Sequence, residues 1–229
     1  MIPWLTPASP DRFSDVRDTS LAKLVREDVL GQILRGVLVP GQRINEPDVA
    51  QRLQVSRVPV REALRELESS GLVVSRKHSG VFVRELGADE IRDLYQFRAL
   101  LDAFVGRSVA ALPSKQRTRL IQTLDVSIAA MQEAATSQAV QRYYGENLRF
   151  HWAMVEAAGN KAVADAYQGI VQKLHLSRIK NLSKDVGMQT SIQEHSQIVQ
   201  ALKDGDLAQC EALMAQHVGA ALERLATHQ

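Results

Sequence analysis

The sequence predicts a mainly α protein in two parts, three short helices closed by a β-hairpin and then an antiparallel bundle of long helices. Three observations predict it. Aromatic residues make up only 5% of the chain and β-branched runs are short, which favours helices. Between Leu21 and Gly71, stretches with helical apolar spacing alternate with turn-forming residues. From Ala88 onward, Ala-rich and Leu-rich faces recur over long stretches, punctuated by Pro113, Gly159-Asn160, Gly187 and Gly205-Asp206.

A chain of 229 residues allows one or two domains, each with a real core. The expected borders are a mobile arm over 1–19, a first domain over 20–86 and a second over 87–229. The arm carries Pro3, Pro7 and Pro10 and has no periodicity. Its prolines and charges stand where a signal peptide needs an apolar run, and no stretch reaches the roughly 18 apolar residues of a membrane span. Cys210 is the only cysteine, so no intrachain disulfide can form. These features predict a soluble protein of a reducing cytoplasm.

In the first domain, a helix is expected from about Leu21 to Gly36, with Leu24, Val25, Val29, Ile33 and Leu34 on one face. Gly36 and Pro40-Gly41 break it. A second short helix starts at Asn45 or Glu46, with Val49, Ala50 and Leu53 facing inward. The third follows a tight turn at Gln54-Val55-Ser56 and is stopped by Gly71. Its Val60, Ala63, Leu64 and Leu67 recur at i, i+3, i+4 and i+7, one buried stripe. Arg57, Arg61 and Arg65 recur every four residues beside it. Ser56 can cap the first turn, and Pro59 is tolerated there because first-turn amides have no intrahelical partner. Residues 72–76 and 81–84 then read as strands around a basic tip at Lys77-His78-Ser79-Gly80.

Three helices and a basic hairpin make a winged helix-turn-helix, whose third helix enters the major groove of DNA while the wing lies on backbone or in the minor groove. Solvated arginines on an ordinary surface helix are the competing reading. Charge distribution favours the first: residues 52–84 hold seven Lys/Arg against three acids, whereas residues 87–229 hold fifteen of each sign. The candidate DNA-binding residues are Arg43, Ser56, Arg57, Val60, Arg61, Arg65, Lys77, His78 and Gly80.

LRGVLVPGQRINE, VSRVPVREALRELESSGLV and GVFV together resemble the N-terminal domain of the GntR family of bacterial transcription regulators. The resemblance covers residues 21–84 and implies a DNA-binding regulator, not an enzyme. Some relatives place a DNA-touching arginine early in the second helix, where this chain has Pro47, so no base contact is assigned there.

Beyond Ala88, helices are expected over 88–112, 114–135, 138–158, 161–182, 188–204 and 206–226. Such a bundle can enclose a cavity. Asn147 and His151 stand at i and i+4 on one face. His195 and His217 lie at similar distances either side of the Gly205-Asp206 turn, so antiparallel packing brings them level. Three imidazoles and an amide oxygen can then converge, although any one of these histidines taken alone reads first as a satisfied core residue or an exposed one doing little.

The segment NLRFHWAMVEAAGNKAV and the spacing of the histidines resemble the FCD effector domain of the FadR-type branch. The resemblance implies Asn147, His151, His195 and His217 as ligands to a divalent metal, zinc first, with nickel, manganese or iron as alternatives. His175 and His228 fall outside the pattern. Arg98 in YQFRALLDAF is a candidate for pairing with an effector carboxylate or, one turn away, with Asp102. Tyr95 and Arg149 complete the effector-binding candidates.

The leading expectation is a homodimeric repressor that binds a palindromic double-stranded operator and responds to a small carboxylate through the metal. A regulator whose metal is purely structural is the nearest alternative. A metal-dependent hydrolase or lyase would need a general base, and the adjacent acids Glu146 and Glu194 are each turned about 100° from the next residue on a helix.

Overall fold

In the computed structural model the described residues are 20–179 and 187–226. The expected N-terminal arm, the end of the predicted helix 161–182 and His228 therefore lie outside the described residues. The chain divides into two compact units, one of residues 1–87 with 171–181 and the other of 88–170 with 182–229.

The first unit opens on α1 (Leu21–Leu34). Ser20 caps it, its hydroxyl oxygen accepting from the Lys23 amide at 3.2 Å. Leu24, Val25, Val29, Ile33 and Leu34 are buried, as their spacing predicts. The helix ends at Arg35, and Gly36 follows with φ 71°. Gly41, at φ 82°, turns the chain so that its amide donates to the Val83 carbonyl at 2.9 Å.

That turn launches β1 (Arg43–Ile44), which the sequence does not reveal because two residues are too few to show alternation. It pairs antiparallel with β3 (Gly80–Val83), which pairs with β2 (Val73–Arg76), giving the order β1-β3-β2. The wing is thus anchored on both edges of β3.

Between β1 and β2 lie α2 (Glu46–Arg52) and α3 (Arg57–Ser69). Pro59, Val60, Ala63, Leu64 and Leu67 of α3 are buried, and α3 packs on α1. Each fully buried aliphatic side chain stabilises the unit by roughly 1.5–3 kcal/mol, so the stripe holds the helix in place and leaves its other face exposed. His175 also belongs to this unit, and its Nε2 donates to the Leu34 carbonyl at 2.7 Å. This satisfies an orphan carbonyl at the end of α1. Burial pulls His175 below the ordinary histidine range, opposed by that hydrogen bond.

The second unit contains α4 (Ala88–Ala110), α5 (Ser114–Thr136), α6 (Val140–Ala157), the first part of α7 (Lys161–Ile179), α8 (Met188–Asp204) and α9 (Leu207–Ala226). α4 packs along α9, α5 lies against α6 and α8, and α8 pairs with α9. Phe150, Leu124, Met131, Met154, Ile198, Leu202 and Met214 fill its interior. Gly106 of α4 permits a close approach to α9, since a Cβ there would stand 2.6 Å from the Cys210 carbonyl oxygen. Gly205, at φ 70°, closes α8, and the Asp206 amide returns to the Ala201 carbonyl at 3.1 Å. This turn sets the antiparallel register of α8 and α9.

Candidate metal centre and nucleic-acid interface

Three helices each bring one histidine to the same point inside the bundle: His151 from α6, His195 from α8 and His217 from α9. All are buried. The Nε2 of His151 lies 3.1 Å from that of His217 and 3.3 Å from that of His195. One nitrogen from each ring falls within 4.8 Å of the others, a span a single cation can bridge.

The outer nitrogens determine what the inner ones can do. His151 Nδ1 is 3.2 Å from Asp102 Oδ1, and His217 Nδ1 is 2.7 Å from Glu194 Oε2. Where the carboxylate accepts from Nδ1, the Nε2 of that ring is left with its lone pair directed into the cluster. At 3.1 Å the Nε2 atoms of His151 and His217 face each other directly, an arrangement satisfied by a proton shared between them or by a cation held by both. His195 differs, because its Nδ1 has no hydrogen-bond partner among the described residues. Burial, and then the neighbouring His217 and His151, hold His195 well below the ordinary histidine range.

Each carboxylate is in turn held by an arginine. Arg98 Nε donates to Asp102 Oδ2 at 3.1 Å, and Asp102 is wholly buried. Arg224 donates to both Glu194 oxygens, at 2.7 and 2.9 Å. Burial acts to raise the Glu194 carboxyl, but the bonds from His217 and Arg224 outweigh it and hold it at about 2. Burial raises Asp102, with the Arg98 guanidinium opposing.

The other candidates fall as follows. Asn147 is buried one turn before His151 on α6. Tyr95 is buried on α4 with Arg98, and the Arg98 guanidinium also lies 5.5 Å from the Tyr167 ring centre. Arg98 forms the ion pair with Asp102 one turn away. Arg149 is on the outer surface, 56% exposed and paired with Glu146 at 2.7 Å, so it does not join the cluster. Sequence reasoning passes over Asp102 and Arg224 as supports of the histidines. It weighs Glu194 only as a base, because its partner His217 is 23 residues away and no local spacing links them.

In the first unit, Arg57, Arg61 and Arg65 are all exposed on α3. Arg61 is held by Glu46 at the start of α2, Nε to Oε2 at 3.1 Å. Val60 is a correction: it is fully buried in the stripe facing α1 and cannot reach a base. Ser56 is another, since it occupies the N-cap position but its side chain makes no capping bond. Val58, which the apolar pattern did not single out, is 62% exposed in the first turn of α3.

At the wing tip, the Ser79 amide donates to the Arg76 carbonyl at 2.9 Å, closing a turn over Lys77 and His78. His78 takes φ 59° and Gly80 φ 99°. The Arg43 guanidinium lies beside Gly80, where an added Cβ would meet Nε at 3.1 Å. Arg76 stacks over Phe82, 4.5 Å from the ring centre.

A basic helix presented beside a wing, in a chain that also carries a helical bundle with a polar cluster at its heart, defines a DNA-binding regulator with a sensor domain. Residues 21–83 match the bacterial regulatory proteins of the gntR family, and residues 93–220 match the FCD domain. The chain belongs to the GntR family of bacterial transcription regulators, in the branch that carries an FCD domain. It is 29% identical over 204 residues to a Paenarthrobacter nicotinovorans protein described as "Probable D-xylose utilization operon transcriptional repressor", covering 89% of this chain and 88% of that one. It is 26% identical to the HTH-type transcriptional regulator LutR of Bacillus subtilis, covering 81% and 92% of the two chains. Escherichia coli McbR/YncC shares the fold, with a TM-score of 0.74 at 22% identity over 91% of this chain and 98% of that one. The two sequence relatives are described as transcriptional regulators, and no described helix is long and apolar enough to cross a membrane.

Proposed function

We propose that this protein is a homodimeric cytoplasmic repressor that docks two α3 helices on a palindromic operator and is controlled by a small carboxylate bound beside a divalent cation in the bundle. The observation that carries the sensor half is the convergence of His151, His195 and His217, with the Nε2 atoms of His151 and His217 opposed at 3.1 Å. A buried site of three converging imidazoles, with the Asn147 amide one helical turn before His151, fits zinc, with nickel, manganese or iron as alternatives. His151, His195, His217 and Asn147 would hold the ion, which when bound supplies a fixed positive charge and open positions for an anionic oxygen. Arg98 then anchors Asp102 and offers its terminal nitrogens toward a carboxylate, with Tyr95 beside it.

On the DNA side, Arg57, Arg61 and Arg65 supply base or phosphate contacts, and Ser56 sits at the helix entrance. Val58 supplies an apolar contact suited to a thymine methyl group. Arg43, Lys77, His78 and Gly80 place the wing on the backbone. Dimerisation is supported by Phe97, Leu100 and Phe104, which leave an apolar line along one face of α4 at 49%, 69% and 45% exposure. A ligand that favours one arrangement of the two bundles changes the spacing of the two recognition helices, and so operator affinity.

Elemental analysis of the purified protein, followed by calorimetry with di- and hydroxycarboxylates before and after chelation, tests the sensor half. The expected result is a bound divalent metal and carboxylate binding that is lost on its removal. Absence of any divalent metal at neutral pH under reducing conditions rejects the metal. Carboxylate binding that survives chelation assigns the ion a structural role, a reading that the full burial of the cluster also supports.

A further inference from the structure

Resting on the metal reading above, we infer that Glu194 and Arg224 are positioning residues that set how tightly the three-histidine centre holds its cation, Arg224 fixing Glu194 and Glu194 fixing His217. The geometry repeats a pattern within one site. Arg98, Asp102 and His151 form one chain of contacts, from guanidinium to carboxylate to imidazole. Arg224, Glu194 and His217 form a second, on different helices. Both chains end with an Nε2 directed at the same point.

The two chains differ in how they are held. Asp102 is locked by burial, with its side chain 0% exposed. Glu194 is 20% exposed and has water as a competing partner. Its orientation therefore depends on Arg224, whose two terminal nitrogens grip both carboxylate oxygens and leave Oε2 to accept from His217 as well. Arg224 is itself seated by Gly187. A Cβ on that glycine would stand 2.6 Å from the Arg224 Cδ, so the bare backbone at the start of α8 makes room for the arginine stem. Without the grip, the Glu194 side chain can rotate to solvent, and His217 loses the partner that fixes both its tautomer and its ring plane. Such outer partners of a ligating histidine are typically worth about 10–100-fold in metal affinity.

The experiment uses the full-length protein, with zinc affinity measured by chelator competition and cobalt loading followed by its visible absorption bands. Arg107→Ala serves as the structural control, because it breaks an exposed ion pair to Glu211 on α9, away from the buried histidines. Glu194→Ala should weaken zinc binding by about 10–100-fold. Glu194→Gln, which keeps an acceptor but loses the charge and the arginine grip, should fall between it and wild type. Arg224→Ala should weaken binding about 10-fold and shift the cobalt bands in the same direction as Glu194→Gln. Arg107→Ala should leave affinity and bands unchanged. Circular dichroism of the metal-free proteins confirms that each variant is folded, and Arg224→Ala carries the test if Glu194→Ala does not fold. Wild-type affinity and cobalt bands in both Glu194→Gln and Arg224→Ala overturn this inference while leaving the metal reading standing. A wild-type protein that binds neither zinc nor cobalt overturns the metal reading and this inference with it.

Discussion

Arg61 shows how a residue's surroundings sharpen its expected role. It is exposed on α3 and paired with Glu46 at the start of α2. Arg61→Ala should weaken operator binding by about 1–3 kcal/mol if it reads a base. If it touches only phosphate, the loss should be equal on operator and random duplex, and the salt slope should flatten by about one. Titrations at several salt concentrations separate the two, and no loss on either DNA removes Arg61 from the interface. Val60 makes the opposite case. Val60→Ala leaves a cavity against α1 and should cost about 2 kcal/mol of stability while operator preference in the folded protein is unchanged. Asn147 is the third residue whose chemistry matters. An aspartate there would add an anionic oxygen and halve the net charge of a bound divalent ion, so Asn147→Asp should retain metal better against a chelator and bind carboxylates more weakly. Equal carboxylate affinity in the two proteins would make the ion structural.

At the scale of elements, the wing and α7 carry distinct expectations. Lys77 lies at the tip of a hairpin held on both edges of β3, so Lys77→Ala should lower affinity for every duplex by a similar factor, measured as parallel shifts in binding curves. A changed sequence preference at constant non-specific affinity would contradict this. His175 ties α7 to the end of α1 through the Leu34 carbonyl. Its folded-state pKa is depressed by burial, so the unfolded chain binds the proton more readily. The stability it contributes is complete above the unfolded value of about 6.5 and is lost as pH falls through the depressed folded value. His175→Gln keeps a donor to Leu34 but cannot titrate. Thermal melts between neutral and mildly acidic pH should therefore fall more steeply for wild type than for this variant. Parallel slopes would show that His175 does not set the acid sensitivity.

For the whole molecule, the proposed pairing of two chains is the quantity to test. Phe97, Leu100 and Phe104 are a continuous exposed apolar line on a helix whose other faces are packed. Leu100→Glu places a charge in that line and should shift the protein to monomer in sedimentation. It should also abolish binding to a two-half-site operator far more than to single half-sites. A dimer that persists with wild-type affinity would move the interface elsewhere.

Much of this was legible in the order of residues, because helices in a small core are specified by local periodicity and punctuation. The stripe Val60, Ala63, Leu64, Leu67 announced α3, and Gly205-Asp206 announced the turn that levels His195 with His217. The level placement of His195 and His217 was legible in their distances about that turn, whereas the resemblance to the FCD domain is what singled out the set with His151. Only the tertiary structure decided the rest. It showed that β1 exists, because two residues carry no pattern of their own until β3 pairs with them. It assigned the end of α7, residues 171–179, to the first unit, whereas the sequence pattern places all of that helix in the second. It turned Arg98 toward Asp102 and Arg224 toward Glu194. Those choices depend on which buried charge needs a partner most, and desolvation acts between helices that local sequence cannot relate.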